Sequence, residues 1–239
     1  MAIKTGTKNP KIFIGTPVRN SETTIRDFLV CIKNLDYPLN LIGLYFLVNN
    51  SQDESKNILI SFKKQYSSIF RFIEIDEYNF NNPPIDTREF VSREPVYENL
   101  AILRNKIIDR FLIDTTAKYH LAIDSDTLVA PNCLKALLNS KKIFITVPLK
   151  VCLESENSRQ LSNFLTTKIL EDEKKDIFKI ETWGGDCGLI HRDILMAGVR
   201  WEFHTQGEGV GFSLQAKEKG FELFCRKELS LAQHRMFKK

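Results

Sequence analysis

Apolar positions in the first third of the chain follow two alternating patterns. Lys11 to Pro17 (KIFIGTP) is a short apolar run ending in Gly and Pro, and Leu41 to Val48 (LIGLYFLV) is a second such run. Each is followed by apolar residues at helical spacing, in Glu22 to Leu35 and in Ser55 to Tyr66. The pattern therefore predicts two strand-helix units, followed by a third short strand at Arg71 to Ile75.

The same alternation continues through most of the remaining chain. The predicted elements are a polar loop at Glu77 to Pro95, a helix from about Glu98 to Ile113, strands at Tyr119 to Ile123 and Ile143 to Pro148, a helix at Val210 to Lys219 stopped by Gly220, and a strand at Glu222 to Cys225. The polar segment Leu153 to Ile180 contains the charge run EDEKKD and stays unassigned, with a solvated helix or flap as its simplest interpretation.

The apolar runs are nearly continuous, which is typical of parallel strands covered by helices on both faces. The chain has 239 residues, of which 43% are hydrophobic and 27% charged, enough for a substantial core. Neither an internal repeat nor a linker is visible. We therefore expect an α/β fold organised as a single domain.

Composition excludes several classes of protein. The formal net charge is only +4, too small for a nucleic-acid-binding field. The five cysteines form no CxxC pair and are predicted to be free thiols in a reducing compartment; they are Cys31, Cys133, Cys152, Cys187 and Cys225. No run approaches about 18 apolar residues, and the start lacks the apolar core of a signal peptide. We expect a soluble, cytoplasmic protein.

The sharpest local motif is Asp124-Ser125-Asp126, which follows a predicted buried strand at the point where open α/β sheets bind ligands. Two carboxylates one residue apart can converge on one cation, and oxygen ligands suit Mg²⁺ or Mn²⁺ that shares its other positions with phosphate. An EF-hand is excluded because Val129 and Lys135 stand where Gly and Glu are needed. On spacing alone, a solvated turn is the alternative.

Taken in order, the motifs resemble the GT-A nucleotide-sugar-dependent glycosyltransferases, especially family 2 and its relatives, over nearly the whole chain. IGTPVRN is similar to that family's first strand and nucleotide loop, LVNNSQDES to its second strand, and LAILRNKII to its ARN-containing helix. DSD falls where the metal-binding DxD belongs. The resemblance implies a GT-A fold, a mostly parallel Rossmann-like sheet flanked by helices, with a donor half at about 11–126 and an acceptor half at about 127–239.

The resemblance also implies a set of donor-site residues. They are Thr16, Pro17, Arg19, Asn50 and Asp53 at the nucleoside, Arg104 and Asn105 beside the donor, and Asp124, Ser125 and Asp126 at the diphosphate. His234, in SLAQHRM, matches a histidine that completes the metal site of many such enzymes, with a solvent-facing histidine as its alternative. The expected cofactor is Mn²⁺ or Mg²⁺, and the imidazole favours Mn²⁺ over Ca²⁺. Surface exposure of Arg19 and Arg104, and helix capping by Asn50 and Asp53, are the structural alternatives.

Two further segments resemble the family's acceptor side. In TWGGDCGLIHRDIL, the acceptor candidates are Trp183 as a stacking platform, with core packing as its alternative, together with Gly185 and Asp186. In GEGVGFSLQ, Glu208 matches the first acid of the family pattern and is the first candidate for the catalytic base, ahead of Asp186. The sequence departs from that pattern where Gly209 and Gly211 replace acids and Gln215 replaces Arg.

The expected function is metal-dependent transfer of a sugar from a nucleoside diphosphate sugar, UDP by default, to a glycan or other acceptor hydroxyl with inversion. A retaining glycosyltransferase, a sugar nucleotidyltransferase and a non-catalytic nucleotide-sugar-binding module are the alternatives. IGTPVRN has a single Gly, unlike the glycine-rich loop of nucleotidyltransferases. The Glu77 to Pro95 loop and the Leu153 to Ile180 segment are expected to act as flaps over the substrates.

Overall fold

The computed structural model describes residues 9–81, 94–153 and 175–236. The helices in these ranges are α1 (Glu22–Lys33), α2 (Ser55–Tyr66), α3 (Glu94–Ile113), α4 (Cys133–Asn139), α5 (Arg192–Met196) and α6 (Glu208–Glu218). The strands are β1 (Ile12–Val18), β2 (Ile42–Val48), β3 (Phe72–Glu77), β4 (Tyr119–Ile123), β5 (Thr127–Val129), β6 (Phe144–Thr146), β7 (Lys150–Leu153), β8 (Ile177–Ile180), β9 (Cys187–His191), β10 (Leu223–Arg226) and β11 (Ala232–Met236).

Eight strands form the central sheet in the order β3-β2-β1-β4-β9-β6-β10-β8. The strands from β3 to β4 are parallel, which confirms the predicted α/β class. The sheet is not parallel throughout, because β9 lies antiparallel to both β4 and β6. This reversal pairs Cys187 with Ile123 and brings the residue before β9, Asp186, to the end of β4.

A second, three-stranded sheet has the order β5-β11-β7. β5 begins directly after the Asp124 to Asp126 turn, and β11 pairs with it antiparallel, so that His234 lies opposite Thr127. Hydrophobic periodicity does not reveal these strands, because β5 has only three residues and β11 (AQHRM) is mostly polar. Because β11 pairs with β5, His234 lies next to the turn after β4, although the two are more than 100 residues apart in sequence.

The core lies on both faces of the central sheet. All seven residues of β1 and all seven of β2 are buried. Ile12 and Ile14 belong to the apolar cluster under α1 and α2, whereas Phe13, between them, belongs to the cluster under α3. The Phe13 and Phe111 rings meet edge to face with centroids 5.5 Å apart. Burial on two faces accounts for the nearly continuous apolar runs in the sequence.

Several predicted boundaries need correction. Helix α3 begins at Glu94 and not near Glu98, since Pro95 is tolerated in the first turn of a helix, where its missing N–H has no partner to lose. Helix α6 begins at Glu208, two residues before the predicted start. The unassigned segment contains β8. Most of both predicted flaps, residues 82–93 and 154–174, lies outside the described residues.

Two further expectations concern the whole chain. Cys31, Cys133, Cys187 and Cys225 are free thiols, as predicted, whereas the side chain of Cys152 lies outside the described residues. In the described ranges, none of the helices has the length and apolarity needed to span a bilayer.

The loops that follow β1 and β2 are hydrogen-bonded to each other. The Asp53 carboxylate accepts from the backbone N–H groups of Glu22 at 2.9 Å and Ser55 at 3.1 Å, the first residues of α1 and α2. The hydroxyl of Ser55 accepts from the N–H of Ser21 at 2.8 Å. One carboxylate therefore serves the N-termini of two helices, where negative charge is favoured. The capping alternative is correct for Asp53.

We expect Asp53→Ala to lower the free energy of unfolding by about 1–2 kcal/mol, because two helix N-termini lose an acceptor. Urea denaturation measures the change. The control is Asp36→Ala, since Asp36 is 60% exposed and forms a surface ion pair with Lys135, a type of pair that contributes about 0–1 kcal/mol. Equal effects of the two substitutions would contradict the capping role.

Candidate functional site at the Asp124 to Asp126 turn

The Asp124 to Asp126 turn lies at the carboxyl end of β4, as predicted, and hydrogen bonds fix it on two sides. The N–H of Asp124 donates to the carbonyl of Asp186 at 3.1 Å. The hydroxyls of Ser125 and Ser21 lie 2.8 Å apart, which connects the turn to the loop after β1. The turn is therefore fixed against both neighbouring loops, and the alternative of a freely solvated turn is wrong.

Arg104 lies beneath this turn and is only 3% exposed. Its Nη2 donates to Oδ1 of Asp124 at 2.7 Å, and its Nε donates to Oε1 of Glu208 at 3.0 Å. The guanidinium carbon lies 4.6 Å from the ring centroid of Trp201, within cation–π range. Arg104 is thus a buried cation between two carboxylates, and the surface-cation alternative is wrong for it.

Asp126 lies on the other side of the turn, next to His234. Nδ1 of His234 and Oδ1 of Asp126 are 3.6 Å apart, and the Asp126 side chain is 39% exposed. Two residues that the resemblance assigned to a metal therefore lie together. Asp186 is partly exposed, and its backbone carbonyl accepts from the N–H of Asp124, which brings it to the same turn.

The carboxylates of this cluster disfavour one another's charge. Burial raises the pKa of Asp124 well above its ordinary value, with repulsion from Asp186 and Asp126 adding to the effect and Arg104 opposing it. Burial likewise raises the pKa of Asp126 and that of Asp186, and His234 opposes both shifts. A cation bound among these groups would relieve the repulsion.

The donor set fits a divalent cation that is also held by a substrate. Within residues 9–81, 94–153 and 175–236, no three His, Cys, Asp or Glu side chains converge as a complete metal cage. Mg²⁺ usually takes one or two carboxylates and fills its remaining positions with water and phosphate oxygens, so a complete cage is not required. Asp126 supplies an oxygen and His234 an imidazole, a combination that suits Mn²⁺.

Glu208 and Asp186, the two candidate bases, differ in accessibility. Glu208 is 3% exposed at the start of α6 and is bonded to Arg104. Asp186 is partly exposed, and its backbone bonds that of Asp124 at the same turn. An acceptor hydroxyl would reach Asp186 without displacing an ion pair, whereas reaching Glu208 would break the bond to Arg104. Asp186 is therefore the more accessible of the two acids, although the sequence ranked Glu208 first.

Packing explains the glycines that replace the family's acids. A Cβ on Gly209 would overlap the carbonyl oxygen of Trp183 and lie 2.6 Å from the carbonyl carbon of Gly184. A Cβ on Gly211 would overlap the carbonyl oxygen of Glu202. Backbone fills both spaces, so neither position can carry an acid without a shift of the chain.

Trp183 has a packing role in this structure. Its ring is 6% exposed and lies against Phe144, Trp201 and Phe212, with centroids 5.0 to 5.8 Å away. A Cβ on Gly188 would lie 2.6 Å from Trp183, so this glycine provides space for the ring. The core alternative describes Trp183 better than the predicted stacking platform does.

The side chains of two predicted donor residues form hydrogen bonds with backbone groups. The Asn105 carboxamide accepts from the N–H of Trp201 at 2.9 Å and donates to its carbonyl at 2.8 Å. The Asn50 carboxamide bonds to the N–H and carbonyl of Phe80 in the same way, at 2.9 and 3.1 Å. These pairings leave both amides with a structural function. The helix-cap alternative is therefore wrong for Asn50.

The remaining donor candidates lie at the end of β1. Thr16 and Pro17 are buried in the strand, and Arg19 is partly exposed at its end. Sequence reasoning missed Ser21 and Trp201 as parts of the site. Ser21 immediately precedes α1 and could be found as a predicted N-cap, but nothing in the sequence indicates that Trp201 packs on Arg104.

Comparison with known proteins gives one family match. The family model Anp1 matches residues 2–179 of the chain. No curated protein is similar enough in sequence to match.

Solved structures are similar in fold at low sequence identity. TarS from S. aureus in complex with UDP-GlcNAc is 13% identical with a TM-score of 0.62, over 96% of this chain and 59% of that one. PcManGT, a mannosyltransferase from Pyrobaculum calidifontis in complex with GDP-Man and Mn²⁺, is 12% identical with a TM-score of 0.59, over 96% and 57%. GalNAc-T7 with UDP, GalNAc and Mn²⁺ is 13% identical with a TM-score of 0.64, over 95% and 44%.

All three are GT-A glycosyltransferases, so the predicted fold is confirmed. This chain spans about 60% of the length of the first of these relatives, TarS 1–349.

We expect that Gly209→Asp, which introduces the family's usual acid, does not create a working base. The new side chain would meet the Trp183 and Gly184 backbone, and such overpacking typically costs about 1–3 kcal/mol. Thermal unfolding measures the loss. Leu214→Ala, on an exposed position of the same helix, is the control and should have a small effect. A Gly209→Asp protein as stable as the Leu214→Ala protein would contradict the packing argument.

Proposed function

The chain belongs to the Anp1 family of glycosyltransferases, and we propose that it transfers a sugar from a nucleoside diphosphate sugar to an acceptor hydroxyl with the aid of a divalent cation. The observation that carries the proposal is the proximity of Asp126 to His234 at the turn after β4, where the N–H of Asp124 also bonds the carbonyl of Asp186. Open α/β sheets bind ligands at the carboxyl edge of the sheet, beside the loops after β1 and β2.

The donor side comprises the two bonded loops and the DSD turn. UDP is the first nucleotide to test, and GDP is the second, because TarS is solved with UDP-GlcNAc and PcManGT with GDP-Man. Arg19, partly exposed at the end of β1, is the basic side chain nearest in sequence to this nucleotide loop. A planar guanidinium there suits a phosphate or a base edge.

Asp126 and His234 would hold the divalent cation, and Asp186 would add negative charge beside it. When bound there, the cation would supply positive charge that stabilises the leaving diphosphate. In this chain, Asp124 has a different function from Asp126, since its carboxylate is bonded to Arg104 and not to His234. Ser125 contributes by bonding the turn to Ser21.

Two stereochemical courses follow from the acids that are present. If the transfer inverts, the partly exposed Asp186 accepts the proton of the acceptor hydroxyl, a step that contributes typically 10²–10⁴-fold. If it retains configuration, no base is needed at α6, and Gly209 in place of an acid is consistent with this course. The glycine therefore gives the retaining mechanism specific support as the second candidate.

Asp126→Asn is expected to weaken binding of UDP or GDP with Mn²⁺ at least about tenfold, a change of about 1.4 kcal/mol, because one ligand charge is lost while size is kept. Isothermal titration calorimetry measures the affinity. Asp36→Asn, on an exposed surface position, is the matched control. Affinity unchanged by Asp126→Asn would remove the metal assignment.

Asp186→Asn is expected to lower turnover by about 10²-fold or more in an inverting enzyme, because an amide cannot accept the proton. Glu208→Gln should have the smaller effect on turnover per bound donor, since Glu208 is bonded to Arg104. Nuclear magnetic resonance of the product gives the anomeric configuration independently. Retained configuration would exclude a base role for either acid, and absence of both transfer and donor hydrolysis would exclude the enzyme.

A further inference from the structure

Arg104 connects three parts of the fold that are far apart in sequence. It lies on α3, bonds Asp124 after β4 and Glu208 at the start of α6, and stacks on Trp201. We propose that Arg104 is a positioning residue that fixes Asp124, and with it the DSD turn, relative to α6. This inference rests on the proposed function, since it assigns a role within the same site.

The geometry requires a guanidinium. The bonds to Asp124 and Glu208 leave from different nitrogens, Nη2 and Nε, at 2.7 and 3.0 Å. A planar fork with fixed N–H directions can serve two carboxylates and still present its face to an indole ring. A lysine ammonium is a single point of charge and cannot reproduce the three contacts together.

Neighbouring residues fix the guanidinium in place. Asn105, the next residue on α3, bonds both backbone groups of Trp201 and so holds the ring on which Arg104 stacks. Gly185 packs against the ion pair of Arg104 with Glu208. A Cβ added at Gly185 would lie 3.4 Å from Nη2 of Arg104 and 3.4 Å from Oε1 of Glu208. Gly185 also has φ of +102°, a backbone conformation that side chains disfavour.

Burial argues against direct contact between Arg104 and a donor. The side chain is 4% exposed, whereas that of Asp126, on the same turn, is 39% exposed. A diphosphate approaching the turn would meet Asp126 before it could reach Arg104. The influence of Arg104 on the donor therefore passes through Asp124 and the backbone of the turn.

The test compares Arg104→Met and Arg104→Lys with Arg110→Met. Arg110 lies on the same helix and forms a paired contact with Glu74 away from the site, so it controls for loss of an arginine ion pair on α3. Calorimetry with UDP and Mn²⁺, and with GDP and Mn²⁺, measures nucleotide affinity. We expect about a tenfold loss or more for Arg104→Met, a smaller loss for Arg104→Lys, and none for Arg110→Met.

A double-mutant cycle separates positioning from general stability. Combined with Asp124→Asn, Arg104→Met should cause little further loss of nucleotide affinity, because both substitutions remove the same contact. Fully additive losses would overturn the inference, as would normal affinity of the Arg104→Met protein. If circular dichroism shows that the Arg104→Met protein does not fold, the nucleotide affinity of the Arg104→Lys protein is the deciding measurement. An Arg104→Lys affinity equal to that of the unmodified protein would overturn the inference.

The proposed function and this inference fail differently. If the unmodified protein binds neither nucleotide with Mn²⁺, the proposed function is wrong and the inference falls with it. If the unmodified protein binds and the Arg104 variants bind equally well, only the inference is wrong.

Discussion

The buried guanidinium of Arg104 determines how the charges of this site are distributed. A buried carboxylate is strongly disfavoured unless it is paired, and removing one member of a buried pair typically costs about 3–5 kcal/mol. Arg104 pairs with Asp124 and Glu208 at once. Asp126 and Asp186, both partly exposed, are not among the carboxylates that Arg104 bonds in the described residues. Negative charge is thus concentrated where we propose that a metal–nucleotide complex binds.

Strand topology places these charges. β9 is antiparallel to β4, so Asp186, which precedes β9, lies next to Asp124, which follows β4. The carbonyl of Asp186 accepts a hydrogen bond from the N–H of Asp124. β11 pairs with β5, which sets His234 beside the same turn. Arg104 arrives from a helix that covers the opposite face of β1 from α1. Four separate segments therefore supply one site, each fixed by ordinary sheet pairing or helix packing.

The sequence predicted the parts of this arrangement that have local signals. β1, β2 and β4 are apolar runs long enough to identify, and DSD follows one of them, so the edge of the sheet and the turn could be located. β5 and β11 have three and five residues and no periodicity to detect. The expectation that His234 lies near Asp126 came only from a family resemblance.

Side-chain roles were predicted less well than positions, for a physical reason. An asparagine in a polar loop can bind a ligand or form hydrogen bonds with backbone groups, and the sequence does not distinguish the two. Asn50 and Asn105 each bond a backbone segment far away in sequence. Trp183 is adjacent to glycines, which suggests an open surface, yet one glycine exists to accommodate its ring. Buried charge pairs such as Arg104 with Glu208 leave no trace in composition or spacing.

Close packing between the start of α6 and the loop before β9 restricts which side chain α6 can carry at Gly209. Because the backbone at Trp183 and Gly184 occupies the space beside Gly209, no acid can project from that helix position toward an acceptor. Glu208, one residue earlier, is turned inward to Arg104. Among the described residues, the proton acceptor that we propose for an inverting transfer is then Asp186, on the β9 side. The packing around Gly209 thus removes this helix position as the source of a base.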